Sequence, residues 1–205
     1  ELAAKSSKEQ GSFLQAQRSE PIVFLKAANA LIGHRGLTRR PAEAEFMHYE
    51  CELVVVIGRE ARYVRKEDAL AYVGGYTVGN DYAIRNFLEP YYRPNLRVKN
   101  RDGCTAMGPW FVPAAEVPDP QALRLTTHVN GQLVQEGSSA DMIHDVASLI
   151  EFLSGIMTLS PGDVIYTGTP KGSVDVRPGD EVVCEVQGIG RLVNTLVEDW
   201  TPAPL

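Results

Sequence analysis

A chain of 205 residues, 44% hydrophobic and 22% charged, is long enough for one sizeable core, so residues 1–205 read as a single domain. Its formal net charge of -6, from 20 Lys+Arg against 26 Asp+Glu with no block of like charges, argues against nucleic acid as a partner. Cys51, Cys104 and Cys184 are widely spaced and odd in number, which excludes a disulfide framework or zinc knuckle. The absence of a long apolar run and the polar opening residues exclude a membrane helix and a signal peptide, leaving a soluble, cytoplasmic protein as the expectation.

Residues 1–20 are polar and poorly periodic, predicting a short helix and a mobile surface connection. Pro21–Lys26 reads as a first strand, and Gly33–Glu45, with Arg35, Arg39, Arg40 and Pro41, as a loop. Glu50–Ile57 is the strongest strand signal, because its Leu53–Ile57 run is almost wholly β-branched and reads as buried on both faces. Lys66–Val73 carries helix formers, stopped by Gly74-Gly75 before a strand over Tyr76–Asp81. Ile84–Tyr92 reads as a short helix or turn halted by Pro90 and Pro94, and Leu96–Pro109 as an irregular polar loop of the kind that hosts function. Leu123–Val129 alternates, and Asn130-Gly131 signals a tight hairpin turn. Met142, Ile143, Val146, Leu149, Ile150, Leu153, Ile156 and Met157 recur at helical spacing and predict one long helix over Asp141–Thr158. Pro161-Gly162-Asp163 and Pro178-Gly179-Asp180 are turns leading into strands Val164–Thr167 and Glu181–Val186, with Arg191–Val197 last. Many short strands and one long helix give a mainly β (α+β) fold, a barrel or rolled sheet.

Glu50 and Glu52 are two apart in a strand, so they share a face with Cα atoms about 6.6 Å apart. Two readings remain open at this point. They are the exposed beats of an alternating strand, or they aim two oxygens at a hard cation that compensates their burial. With Asp81 at the end of its own strand they would supply three carboxylates to an octahedral site, leaving positions for substrate; Mg2+ and Mn2+ both accept such ligands. Arg85 and Lys99 are informative only if something anionic binds beside them. Thr167–Gly172 lacks the spacing of a phosphate loop, yet its hydroxyls and N–H groups suit a carboxylate. His128 and His144 read as structural, His34 is open, and no pattern supports covalent acyl chemistry.

In order and spacing, Tyr49-Glu50-Cys51-Glu52-Leu53, Gly75 to Arg85, Lys99 to Gly103, Asn130-Gly131 with Gln135, and Leu159 to Gly172 resemble the fumarylacetoacetate hydrolase family across residues 21–198. The resemblance implies a mixed β-roll and a homodimer, with Glu50, Glu52 and Asp81 as Mg2+ or Mn2+ ligands and Arg85, Lys99 and Thr169 facing a small 2-oxo acid. His48-Tyr49-Glu50, Asn80 to Arg85 and Tyr91 to Lys99 resemble members that decarboxylate and isomerise 2-oxo and 2-hydroxy-diene dicarboxylic acids in 4-hydroxyphenylacetate (homoprotocatechuate) breakdown through a metal-stabilised enolate. Family members carry an N-terminal Asn-x-x-x-His-x-x-Glu proton-handling segment; Glu1 matches its acid, and the histidine would lie upstream. The Ser6–Arg18 stretch is longer than the family pattern implies. The alternatives are a C–C hydrolase of a β-diketo acid, an oxaloacetate-type decarboxylase, and a homologue that binds metal or ligand without turnover.

Overall fold

The computed structural model describes residues 20–88 and 95–200. Twelve strands build three sheets. The first contains β1 (Leu31–Ile32), β7 (Thr105–Pro113), β5 (Val73–Asp81), β4 (Cys51–Ile57) and β10 (Val164–Tyr166), in that spatial order. The second contains β2 (Leu37–Arg40), β12 (Gly190–Glu198), β11 (Glu181–Val186), β8 (Arg124–Val129) and β9 (Gln132–Ser138). A small ribbon pairs β3 (Met47–His48) with β6 (Ala83–Ile84). Among the described residues there are two α-helices, α1 (Leu96–Lys99) and α2 (Val146–Ile156). The mainly β, rolled-sheet expectation holds.

β11 and β12 lie against β4, β5 and β7, so the inner faces of the two large sheets share one core. Leu53, Val54, Val55 and Ile57 are buried on both faces of β4, as the unbroken apolar run predicts. Burying each such side chain contributes roughly 1.5–3 kcal/mol. α2 covers this core with Val146, Leu149, Ile150 and Leu153 and packs on a 3-10 segment over Lys66–Tyr72.

Several boundaries differ from the sequence expectations, each for a physical reason. The long helix starts at Val146 because the Asp145 side chain caps it, accepting from Ser148 N at 2.7 Å, and it ends where Met157 turns extended. Gly74-Gly75 does not stop an element but lies inside β5. A Cβ on Gly75 would stand 2.3 Å from the Val112 carbonyl oxygen, so glycine there lets β5 approach β7 closely. Gly33–Glu45 is not all loop: its arginines frame β2, which pairs in parallel with β12, and Arg40 is neutralised by Asp175 at 2.6 Å. Leu96–Pro109 likewise resolves into α1 and the start of β7. Pro21–Lys26 joins no ladder. Asn100 holds it instead, accepting from Ala27 N at 2.6 Å and donating to the Leu25 carbonyl at 3.2 Å.

The hairpin is where it was expected, with Asn130 and Gly131 both at positive φ, 50° and 79°, joining β8 to β9. Arg85–Phe87 forms a 3-10 turn, while the rest of the Ile84–Tyr92 expectation from residue 89 lies outside the described residues. So do the N-terminal helix and Glu1. All three cysteines are buried and free. Among the described residues no helix is long and apolar enough to cross a membrane.

Candidate active site

Antiparallel pairing of β4 and β5 brings their acidic ends together. Cys51 faces Asn80 and Glu52 faces Gly79 in the register, and Asp81 N–H donates to the Glu50 carbonyl at 3.0 Å. The Asn80 side chain closes the same corner by accepting from Glu50 N at 3.0 Å. Glycine at 79, opposite Glu52 in the register, makes room for the Tyr166 ring, which a Cβ there would meet at 2.4 Å. One oxygen from each of Glu50, Glu52 and Asp81 falls within a 4.8 Å cluster. Glu52 and Asp81 are 4% and 3% exposed, so these carboxylates are not the exposed beats of an alternating strand.

Two lysines enter the cluster. Lys99, the last residue of α1, places Nζ 2.5 Å from Glu50 Oε2, 2.8 Å from Asp81 Oδ2 and 3.0 Å from the Asp81 carbonyl oxygen. Lys26 donates to Asp81 Oδ1 at 2.6 Å and to the Lys99 carbonyl. Burial raises the Glu50 carboxyl despite the opposing pull of Lys99. Burial, then the negative charges of Asp81 and Glu50, hold the Glu52 carboxyl well above its ordinary range. For Lys99, burial works to lower the ammonium, yet Glu50 and Asp81 together outweigh it and raise it. The balance goes the other way at Lys26, where burial outweighs Asp81 and lowers it.

His48 borders the site. Its Nδ1 donates to the Tyr49 carbonyl at 2.9 Å, leaving Nε2 as a lone pair 3.7 Å from Glu50 Oε1. Burial pushes the ring down to about 4, so it is neutral at physiological pH. Arg85 is exposed at the rim, near enough for its charge to act on Glu50 and His48. On the other side, the Thr167–Gly172 loop folds over the end of β4. Glu52 Oε2 accepts from Gly168 N at 2.7 Å, and Thr167 Oγ1 donates to the Leu53 carbonyl at 2.8 Å. Gln135, buried on β9, anchors the loop by donating to Thr169 Oγ1 at 3.2 Å and to the Pro170 carbonyl at 2.7 Å.

Arg85, Lys99 and Thr169 therefore stand around the carboxylates, Lys99 in direct contact and the other two at the edges. Sequence reasoning singled out neither Lys26 nor the anchoring part played by Gln135. The one signal for Lys26 was a charge closing the apolar run Ile22–Leu25. His34, left open, accepts from Val193 N at 3.2 Å in a structural contact between the turn after β1 and β12.

The donor set suits a hard divalent cation, with carboxylate oxygens alone, converging, and two of them raised by burial and mutual repulsion that a cation would relieve.

Residues 2–197 match the family model for the fumarylacetoacetate (FAA) hydrolase C-terminal domain. The chain is 60% identical over 182 residues to the 4-hydroxyphenylacetate degradation bifunctional isomerase/decarboxylase of Escherichia coli, with 89% of this chain and 42% of that protein covered. It thus spans less than half of that relative's length. Among solved structures, it superposes on 2-hydroxyhepta-2,4-diene-1,7-dioate isomerase from Mycobacterium marinum with a TM-score of 0.83 at 39% identity, covering 89% of this chain and 71% of that one. Fumarylpyruvate hydrolase from Pseudomonas aeruginosa, in complex with Mn2+ and pyruvate, gives a TM-score of 0.83 at 30% identity over 89% of this chain and 82% of that one. A family match along almost the whole chain, and structural neighbours that share its rolled sheets, leave one assignment: this chain belongs to the fumarylacetoacetate hydrolase family.

Proposed function

We propose that this chain is a divalent-metal-dependent decarboxylase or isomerase of a 2-oxo or 2-hydroxy-diene dicarboxylic acid arising in 4-hydroxyphenylacetate breakdown. The observation that carries this reading is the convergence of Glu50, Glu52 and Asp81 within one cluster, with Lys99 bonded to Glu50 and Asp81. These three carboxylates would hold Mg2+ or Mn2+. A bound divalent ion supplies Lewis-acid stabilisation of negative charge developing on a substrate oxygen.

The chain's own residues supply the rest. Lys99 offers an ammonium to the oxygen on which charge develops when CO2 or a proton is lost. Arg85 at the rim attracts the dicarboxylate and fixes one end of it. Thr169, positioned by Gln135, donates its hydroxyl to a substrate carboxylate. Returning the proton at a different carbon gives the isomer, so decarboxylation and isomerisation need only one site. Glu1 is assigned the proton-handling role that the family resemblance gives it. The reading extends to a single catalytic domain over residues 1–205, acting in the cytoplasm as a homodimer on a small molecule. Free, buried Cys51, Cys104 and Cys184 support a reducing compartment, and size-exclusion with light scattering tests the dimer.

The main test follows the ultraviolet absorbance of 5-carboxymethyl-2-oxo-hex-3-ene-dioate and of 2-hydroxyhepta-2,4-diene-dioate with Mg2+, with Mn2+ and with chelator. Metal-dependent loss of either substrate, abolished by Glu52→Ala, is the expected result and says which reaction the chain performs. Turnover of neither, with fumarylpyruvate cleaved instead, would replace this reading by C–C hydrolysis.

A further inference from the structure

The resident lysine sits against two of the three converging carboxylates. Lys99 Nζ contacts Glu50 Oε2 at 2.5 Å and Asp81 Oδ2 at 2.8 Å, two of the three groups whose oxygens cluster within 4.8 Å. A divalent ion bonds carboxylate oxygen at about 2.0–2.1 Å for Mg2+. An ammonium already bonded to these carboxylates competes with an incoming dication for them, because like charges repel strongly in a buried site. Lys26 is placed differently. It donates to the other Asp81 oxygen, Oδ1, and to the Lys99 carbonyl, so it grips the backbone of Lys99 without touching Oδ2 or Glu50.

Building on the metal reading above, we propose that Lys99 is a built-in counter-cation that the incoming divalent ion displaces. Metal entry pushes the Lys99 ammonium off Glu50 and Asp81 Oδ2 while Lys26 keeps the Lys99 backbone in place, and the freed ammonium then turns to the anionic substrate. The two lysines thus divide the work, Lys26 as a fixed positioning residue and Lys99 as a movable charge. The exchange also imposes an order in which the cation precedes the substrate, since a Lys99 ammonium held by two carboxylates has little affinity left for a third.

The experiment measures Mn2+ binding to the purified chain by electron paramagnetic resonance for wild type, Lys99→Met, Lys26→Met and Glu52→Ala. If Lys99 is displaced, Lys99→Met binds Mn2+ at least tenfold more tightly than wild type and gains more than Lys26→Met, which also removes one positive charge from the cluster. Thermal melting gives a second readout. In chelator Lys99→Met melts below wild type, and saturating Mn2+ closes that gap because the ion takes over the lost ammonium's contacts. A Lys99→Met protein that folds only with Mn2+ present supports displacement too, and Lys99→Gln then replaces it in the binding comparison. Binding that Glu52→Ala abolishes but Lys99→Met weakens, leaves unchanged or tightens no more than Lys26→Met would overturn the displacement while leaving the metal site standing. Failure of the wild type to bind Mn2+ at all would overturn both.

Discussion

Two clusters of charge lie inside this fold, and they are built to opposite specifications. At Arg40, one guanidinium meets one carboxylate and both of its terminal nitrogens also find carbonyl oxygens: Asp175 at 2.6 Å, the Val176 carbonyl at 2.5 Å and the Ala44 carbonyl at 2.7 Å. Asp175 in turn accepts from Met47 N at 3.0 Å. Burial alone would raise the Asp175 carboxyl, but Arg40 and the Met47 N–H outweigh it and hold it below the usual range. At the end of β4, three carboxylates crowd around two ammonium groups, and Glu50 and Glu52 are raised instead. The first arrangement is complete within the chain and fastens β2 to the segment before β3. The second leaves carboxyls raised by burial and by one another, which is the kind of contrast expected between a structural ion pair and a ligand site.

Breaking each cluster should therefore do different things. The largest effect is expected from Glu52→Ala, a loss of about 10³-fold in kcat/KM, or about 4 kcal/mol of transition-state stabilisation, with the metal-free protein no less stable than wild type by urea titration. Asp175→Ala should do the reverse. It strands the Arg40 charge and costs roughly 3 kcal/mol of folding stability, while kcat of the folded fraction is unchanged.

The pH dependence sharpens the contrast. The depressed Asp175 carboxyl contributes stability that is fully present above about pH 3.9 and is lost as pH falls through its folded value. The raised Glu50 and Glu52 carboxyls bind protons more readily in the folded chain than in the unfolded one. In chelator, stability should thus fall as pH rises from about 4.3, by up to about 1.4 kcal/mol per pH unit for each group, and saturating Mn2+ should remove the slope. Stability curves of wild type, Asp175→Ala and Glu52→Gln between acid and neutral pH check both signs.

Gln135→Leu frees the Thr169 loop without touching a charge, so KM should rise about fivefold, close to 1 kcal/mol, with kcat nearly unchanged. The smallest effect is expected at the exposed pair of Arg65 with Glu67 and Asp68, at 3.0 Å each, where Arg65→Ala should leave the melting temperature unchanged.

How legible each region was in the sequence follows the same division. The core strands announced themselves because β4, β8, β9 and β11 draw their stability from an apolar or alternating pattern that is local in the chain. The shared face of Glu50 and Glu52 was legible for a related reason, since their spacing fixes it whatever else happens, whereas nothing local tied Asp81 to them. Lys26 was not, because its partner Asp81 is 55 residues away and nothing local marks a lysine as buried. Arg39 and Arg40 misled for the same reason. Two adjacent arginines suggest a solvated loop until Asp175 and β12 arrive from the far end of the chain. Gly74-Gly75 misled because a glycine pair looks alike whether it ends an element or lets two backbones touch.

The pairings of β1 with β7 and of β2 with β12 are the two parallel joins in the large sheets, and both are made by a single stretch of chain, Leu31 to Arg40. The second of them aligns Arg40 with Glu198, and Asp199 N–H donates to the Arg40 carbonyl at 3.0 Å. β2 therefore cannot find its neighbour until β12, far later in the sequence, has been synthesised. Until then the arginine-bearing stretch Leu31 to Arg40 waits with its strand edges unpaired, and pairing across so long a separation is slow to close.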